Sequence, residues 1–212
     1  MGAAFSSRPR SRRSPAFAGL LAVAALLGGC GGSGGTSSSP SAANGARGSG
    51  FAGAALPAGV RPPGLLLRQA DGRGVALGGP SAQVTVVAFL HADCRACTVI
   101  AQQIRGALDR LARPVQTVIV SVQPSEPRAR VARFLNAVGL SGRASYAVGP
   151  LPVLRRAWRA YRVTTTAAGQ AAFERSAQVV LLDTTGAERV LYQQEQLTPE
   201  SLVADIGKLQ SG

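Results

Sequence analysis

Aromatic side chains make up only 5% of the 212 residues, and the chain holds a single histidine (His91) and a single lysine (Lys208). Acidic residues are also few, 10 against 23 basic ones, for a formal net charge of +13. Such a surplus suggests nucleic acid, but that function needs a basic cluster interleaved with aromatics. Here the arginines are scattered and aromatics are scarce, so the charge reads as a solvated, Arg-rich surface with no nucleic-acid partner, weakly attracted at most to anionic lipid head groups. The uncharged run at 16–27 is too short to span a bilayer, which takes about 20 apolar residues.

That run instead fits the apolar region of an export signal. Arg8, Arg10, Arg12 and Arg13 precede it, and Leu27-Gly28-Gly29-Cys30 closes it in a pattern that resembles a bacterial lipobox. In signals of that kind the cysteine is lipidated and becomes the first mature residue. The alternative is a plain secretory signal with an incidental cysteine. Ser11-Arg12-Arg13 also resembles a twin-arginine export signal. Removing the four leading arginines leaves 19 basic residues against 10 acidic. The expected organisation is therefore a signal peptide at 1–29, a tether at 30–59 and one folded domain at 60–212. The tether is Gly, Ser, Ala and Pro, with too little apolar surface to offset ordering entropy. The expected location is the extracytoplasmic face of a bacterial membrane, held by lipid on Cys30. The cysteine count agrees. Of three cysteines in an exported protein one is odd. If Cys30 carries lipid, Cys94 and Cys97 remain as a complete pair in a compartment that permits a disulfide.

From about residue 60 the pattern alternates strand and helix. Apolar runs at 65–67 and 75–77 flank Asp71-Gly72, a hairpin signal. A continuous apolar run at 84–90 predicts a buried central strand. Helical spacing follows at 96–111, stopped by Pro114, then a second buried strand at 115–122. Pro127 predicts a helix start at its first position, closed by Gly139. A short strand at 145–148, a helix at 151–161, a hairpin around Asp183-Thr184-Thr185-Gly186, and a terminal helix capped by Thr198 with Pro199 at its first position complete the chain. This order predicts an α/β domain: a central mixed sheet with parallel core strands, flanked by helices, closed by a hairpin and helix as in thioredoxin-like domains.

The chemistry concentrates at Asp93-Cys94-Arg95-Ala96-Cys97, between the apolar strand and a helix, which is the layout of a thioredoxin-like redox site. A helix N-terminus offers unpaired amides and a favourable dipole to an anion, so a Cys94 thiolate is favoured. Arg95 acts in the same direction and Asp93 against it. Cys97, one turn on and more buried, is the expected resolving thiol, releasing a mixed disulfide held on Cys94. A structural disulfide or a metal site are the alternatives. His91, three residues before Cys94, makes a His-x-x-Cys-x-x-Cys set of the kind copper uses. Its plainer reading is a partly buried histidine at a strand end.

Across roughly 62–209 the chain resembles the Sco/SenC family, membrane-tethered thioredoxin-fold proteins that help assemble the copper centre of cytochrome oxidase. The likeness rests on Asp71-Gly72, the strand into the cysteines, Val120-Ser121-Val122-Gln123-Pro124, Leu140-Ser141-Gly142, the helix end at 158–163, the stretch 173–186 and Leu197-Thr198-Pro199-Glu200-Ser201-Leu202. Three departures stand beside it. The family spaces its cysteines by three residues with proline next; here the spacing is two and Thr98 follows. Its Asp-Pro is Gln123-Pro124 here. Its copper-binding His-Ser pair is Arg175-Ser176, and arginine, always protonated, cannot replace an imidazole. The stretch 167–179 also lacks the cis-proline of ordinary thioredoxins. The resemblance thus implies thiol–disulfide exchange at Cys94 and Cys97 on a cysteine-containing protein, a cytochrome oxidase subunit in this family. Two alternatives stay open: a metallochaperone holding copper on Cys94, Cys97 and His91, and a degenerate member keeping the disulfide for stability.

Overall fold

A computed structural model describes residues 50–164 and 178–212. Cys30, the signal-like segment, most of the expected tether, Arg175 and Ser176 lie outside the described residues. Eight strands form one mixed sheet: β1 (Ala54–Ala55), β2 (Leu65–Gln69), β3 (Gly74–Leu77), β4 (Thr85–Leu90), β5 (Gln116–Ser121), β6 (Ser145–Val148), β7 (Gln178–Leu182) and β8 (Glu188–Gln193). Their order is β1-β8-β7-β4-β5-β6-β2-β3. β4, β5 and β6 run parallel, and every other neighbouring pair is antiparallel.

β4 lies between β7 and β5, and all six of its residues are buried. A strand covered on both faces has no use for alternation, so its sequence is a continuous apolar run. The outer hairpin β2–β3 alternates instead, with Leu67, Val75 and Leu77 inward. Its turn forms as the Asp71-Gly72 signal predicts: Gly72 takes φ 90°, and Asp71 accepts the Arg73 amide at 3.0 Å.

The described helices are α1 (Arg95–Leu108), α2 (Arg128–Ala137), α3 (Leu151–Ala160) and α4 (Pro199–Ser211). None is long and apolar enough to cross a membrane. Register pairs Ile119 with Ala88 and with Tyr146, and Tyr146 meets Phe134 of α2 edge-on. Phe89, one residue out of phase, packs on Tyr161 at the end of α3. Side chains alternate across a strand, so α2 and α3 cover opposite faces. α2 ends as Gly139 predicts: with φ +71°, it lets the Leu140 amide reach Leu135 O at 2.9 Å and its own reach Asn136 O at 3.1 Å.

Two boundaries differ from the sequence reading. Pro127 has extended ψ (135°) and caps α2 from outside, so the helix starts at Arg128. α1 stops at Leu108 with Asp109 as C-cap, before Leu111, where the Arg110 amide tightens onto Ala107 O.

A third difference is larger. Residues 51–56, read as tether from their small side chains, are docked: β1 pairs with β8, and the Ala52 and Gly53 amides donate to Asp205 of α4 at 2.9 and 3.0 Å. A Cβ on Gly53 would come within 2.6 Å of Val190 and 2.9 Å of Tyr192. The small residue that composition assigned to flexibility is demanded here by close approach. Asp205 is fully buried and also accepts from the Tyr192 hydroxyl. Burial, and then that carboxylate, hold the Tyr192 phenol well above its ordinary pKa. Asp205→Ala should therefore leave buried amides unsatisfied and cost roughly 3 kcal/mol in urea unfolding; an unchanged midpoint would show that the hydrogen bonds to Asp205 contribute nothing.

Candidate functional site

Three parallel strands deliver their C-terminal ends to one edge of the sheet, where ligands of open α/β sheets gather. The chain leaves β4 at His91, β5 at Val122 and β6 at Gly149. The last two connections are joined by a Ser125 amide to Gly149 O bond of 3.0 Å. Ser125 sits in the left-handed region (φ 56°), bringing the next residue, Glu126, under the first connection.

Cys94 is the N-cap of α1, in extended conformation. Its Sγ accepts the Cys97 amide at 3.0 Å, taking one of the donors that a helix start leaves without a partner. Cys94 and Cys97 form a disulfide across this first turn, with Cα atoms 5.1 Å apart. The anion-favouring position anticipated for Cys94 is therefore present. The anticipated contrast in burial is not: Cys94 is 1% exposed and Cys97 0%. What distinguishes the two is position, since only Cys94 occupies the cap.

The flanking charges resolve as well. Asp93 pairs with Arg130 of α2 at 2.7 Å, so the acid that opposes a Cys94 thiolate is offset from outside the motif. Arg95 is exposed and forms no ion pair among the described residues. His91 follows directly after β4 and is half-buried. Its imidazole nitrogen and the two sulfurs all lie within 4.8 Å of one another, so the structure brings together the three side chains named from sequence.

Sequence reasoning missed Glu126. It is 5% exposed, and its Oε1 accepts the Ala92 amide at 2.8 Å. Its Oε2 accepts the Ser121 hydroxyl at 2.5 Å and the Tyr146 hydroxyl at 2.7 Å. Burial first, and the adjacent carboxylate second, push the Tyr146 phenol far above its ordinary pKa, so it remains a donor. The Trp158 indole extends the network to Ser121 O at 3.0 Å. A buried carboxylate is tolerated only when such donors surround it. This one ties the end of β5, β6 and the turn between His91 and Cys94 into a single unit. The available signal was that Glu126 is the only acid between Asp109 and Glu174 and stands between Pro124 and Pro127.

Glu126→Ala should strand these donors and cost roughly 3 kcal/mol, and should strip the Ala92 amide of protection from hydrogen exchange. Glu126→Gln, which keeps an acceptor for Ala92, should lose far less. Undiminished Ala92 protection in the alanine variant would show that the carboxylate does not hold the turn.

The fold agrees with what comparison with known proteins returns. The SCO1/SenC family model matches residues 66–211. No curated protein matches. Among solved structures, apo Sco1 from Thermus thermophilus is 20% identical, with a TM-score of 0.57 over 75% of this chain and 96% of that one. BsSco, described as having a disulfide switch and as a member of the Sco family of cytochrome c oxidase assembly proteins, is 16% identical (TM-score 0.58; 74% and 96% covered). Arabidopsis thaliana ScoI with copper bound is also 16% identical (TM-score 0.52; 71% and 98% covered). At these identities the structures establish the fold, which is thioredoxin-like. With a family model spanning more than half of its length, from the first hairpin through the last helix, the chain belongs to the SCO1/SenC family.

Proposed function

We propose that this protein performs thiol–disulfide exchange through Cys94 and Cys97 while anchored by lipid on Cys30 at the extracytoplasmic face of a bacterial membrane, and that its partner is a cysteine-containing protein of the cytochrome oxidase copper site. The observation that carries the reading is Cys94 at the cap of α1 with its sulfur on the Cys97 amide, joined to Cys97 at the end of the central strand. The disulfide switch of BsSco and its family's assembly role support the choice of reaction and partner.

In the reducing direction the Cys94 thiolate attacks one sulfur of a partner disulfide, and the other leaves as a thiol after taking up a proton. The Cys97 thiol loses its proton and attacks Cys94 in the mixed disulfide, re-forming the internal bond and releasing the second partner thiol. Two electrons pass to the partner, whose paired thiols can then accept metal. The amide that supports Cys94 Sγ stays in place throughout, because it belongs to the helix backbone.

Cys94→Ser should abolish reduction of a peptide disulfide by the pre-reduced protein, whereas Cys97→Ser should accumulate a mixed disulfide on Cys94, visible as added mass. Retained turnover in Cys94→Ser would overturn the reading.

One observation favours a second reading, in which copper is cargo. His91, Cys94 and Cys97 present an imidazole and two sulfurs within 4.8 Å, a donor set suited to Cu(I) once the disulfide is reduced. The copper-bound Arabidopsis structure lends this reading support. It expects one equivalent of Cu(I) bound by the reduced protein, with affinity lowered about tenfold or more in His91→Ala; equal affinities would remove His91 from the ligand set.

A further inference from the structure

A cleft of about 460 Å³ opens on the α2 face of the sheet, toward the end of the strands opposite the cysteines. Val131, Ala132 and Leu135 of α2 form one wall. The first residues of β5 and β6 and the turn of the β2–β3 hairpin form the other. Small-molecule sites typically enclose about 300–1,000 Å³, with mixed apolar and polar walls of this kind.

Two independent observations define what the cleft suits. The first is charge. Arg73, Arg128 and Arg143 line it, against a single acid, Asp71. Asp71 pairs with Arg73 at 2.7 Å, and Asp109, outside the cleft, pairs with Arg143 at 2.5 Å. Arg128 is left over: it is exposed and in no ion pair among the described residues. Its charge still reaches the acid of the cleft, since the Arg73 amide and side chain, and then Arg128, hold the Asp71 carboxyl below its ordinary pKa. The lining therefore carries one positive charge in surplus. Arg128 also opens α2, where the helix dipole disfavours a cation, so helix stability does not account for it.

The second observation is an orphaned hydroxyl. Thr117 lies two residues before Ile119 on β5 and therefore on the same, α2-facing side. It lines the cleft, is 3% exposed, and its Oγ1 has no hydrogen-bond partner. Gln116 and Tyr146 beside it are engaged elsewhere: Gln116 accepts the Thr85 hydroxyl at 3.2 Å, and the Tyr146 hydroxyl is committed to Glu126. A buried hydroxyl without a partner is costly and uncommon, and valine suits a strand at least as well.

We propose that this cleft binds a small organic oxyanion, a carboxylate or phosphate carried on an apolar body. Arg128 pairs with the charge, the Thr117 hydroxyl bonds a ligand oxygen, and the body lies against Val131, Ala132 and Leu135. The site is separate from Cys94 and Cys97 and does not depend on the exchange reading.

The test titrates the protein by calorimetry with phenyl phosphate and with benzoate, which separate the two oxyanions, and with benzyl alcohol and inorganic phosphate as controls. At least one aromatic anion should bind with a Kd of about 1 mM or tighter, and about tenfold more tightly than either control. Arg128→Gln should weaken that binding about tenfold. Thr117→Val should weaken it about fivefold without lowering the thermal midpoint of the unliganded protein. Binding of neither anion, a control that binds as tightly, or an affinity unchanged in either variant overturns the site. So does a lowered midpoint in unliganded Thr117→Val, which would show that the hydroxyl already has a partner.

Discussion

The Cys97 amide donates to the sulfur of Cys94, and through that bond the helix backbone and the proposed redox chemistry share one group. A helix start must find partners for its first amides, and here a cysteine supplies the acceptor usually provided by Ser, Thr or Asp. The same geometry that completes α1 therefore places a sulfur where negative charge is favoured. It holds only if the turn between β4 and α1 is fixed, and the turn is fixed from below by Glu126. Removing either partner would disturb the other: an unanchored turn would move the cap, and a displaced cap would expose amides of α1.

Burying Glu126 is costly in isolation, because a carboxylate loses several kcal/mol of hydration. Three donors from three places offset it: the Ala92 backbone, Ser121 at the end of β5, and Tyr146 on β6. Because those donors come from different elements, the acid also acts as a register pin for the sheet edge. Asp205 does comparable work at the other side of the molecule, where it gathers the incoming chain, β8 and α4. The protein thus uses two buried acids as junctions, one under the cysteines and one where the segment leading into β1 meets β8 and α4.

Much of this was legible in the sequence. β4 could be read because a strand buried on both faces must be continuously apolar, and α1 because Ile100, Ile104 and Ala107 repeat at helical spacing. The cysteine pair could be placed because strand, Cys-x-x-Cys and helix leave little freedom of arrangement; His91 was a candidate only, since its side chain at a strand end could turn toward the sulfurs or away, and the structure brings it to them. Glu126 could not, since its role depends on a left-handed residue at Ser125 and on donors far apart in sequence. Gly53 was misread for a related reason. Composition cannot separate a glycine that permits motion from one that permits contact, and only the approach of Val190 and Tyr192 decides between them. The equal burial of Cys94 and Cys97 was also beyond sequence, because it reflects packing around the whole edge.

The central claim is that the Cys94–Cys97 pair exchanges electrons with a partner and is not a stabilising crosslink. The most direct measurement is its reduction potential, from equilibration of the protein with defined thiol–disulfide buffers. An exchange-active pair should titrate above about −300 mV, in the range of known oxidoreductases. A potential well below about −300 mV, where structural disulfides lie, would contradict the account.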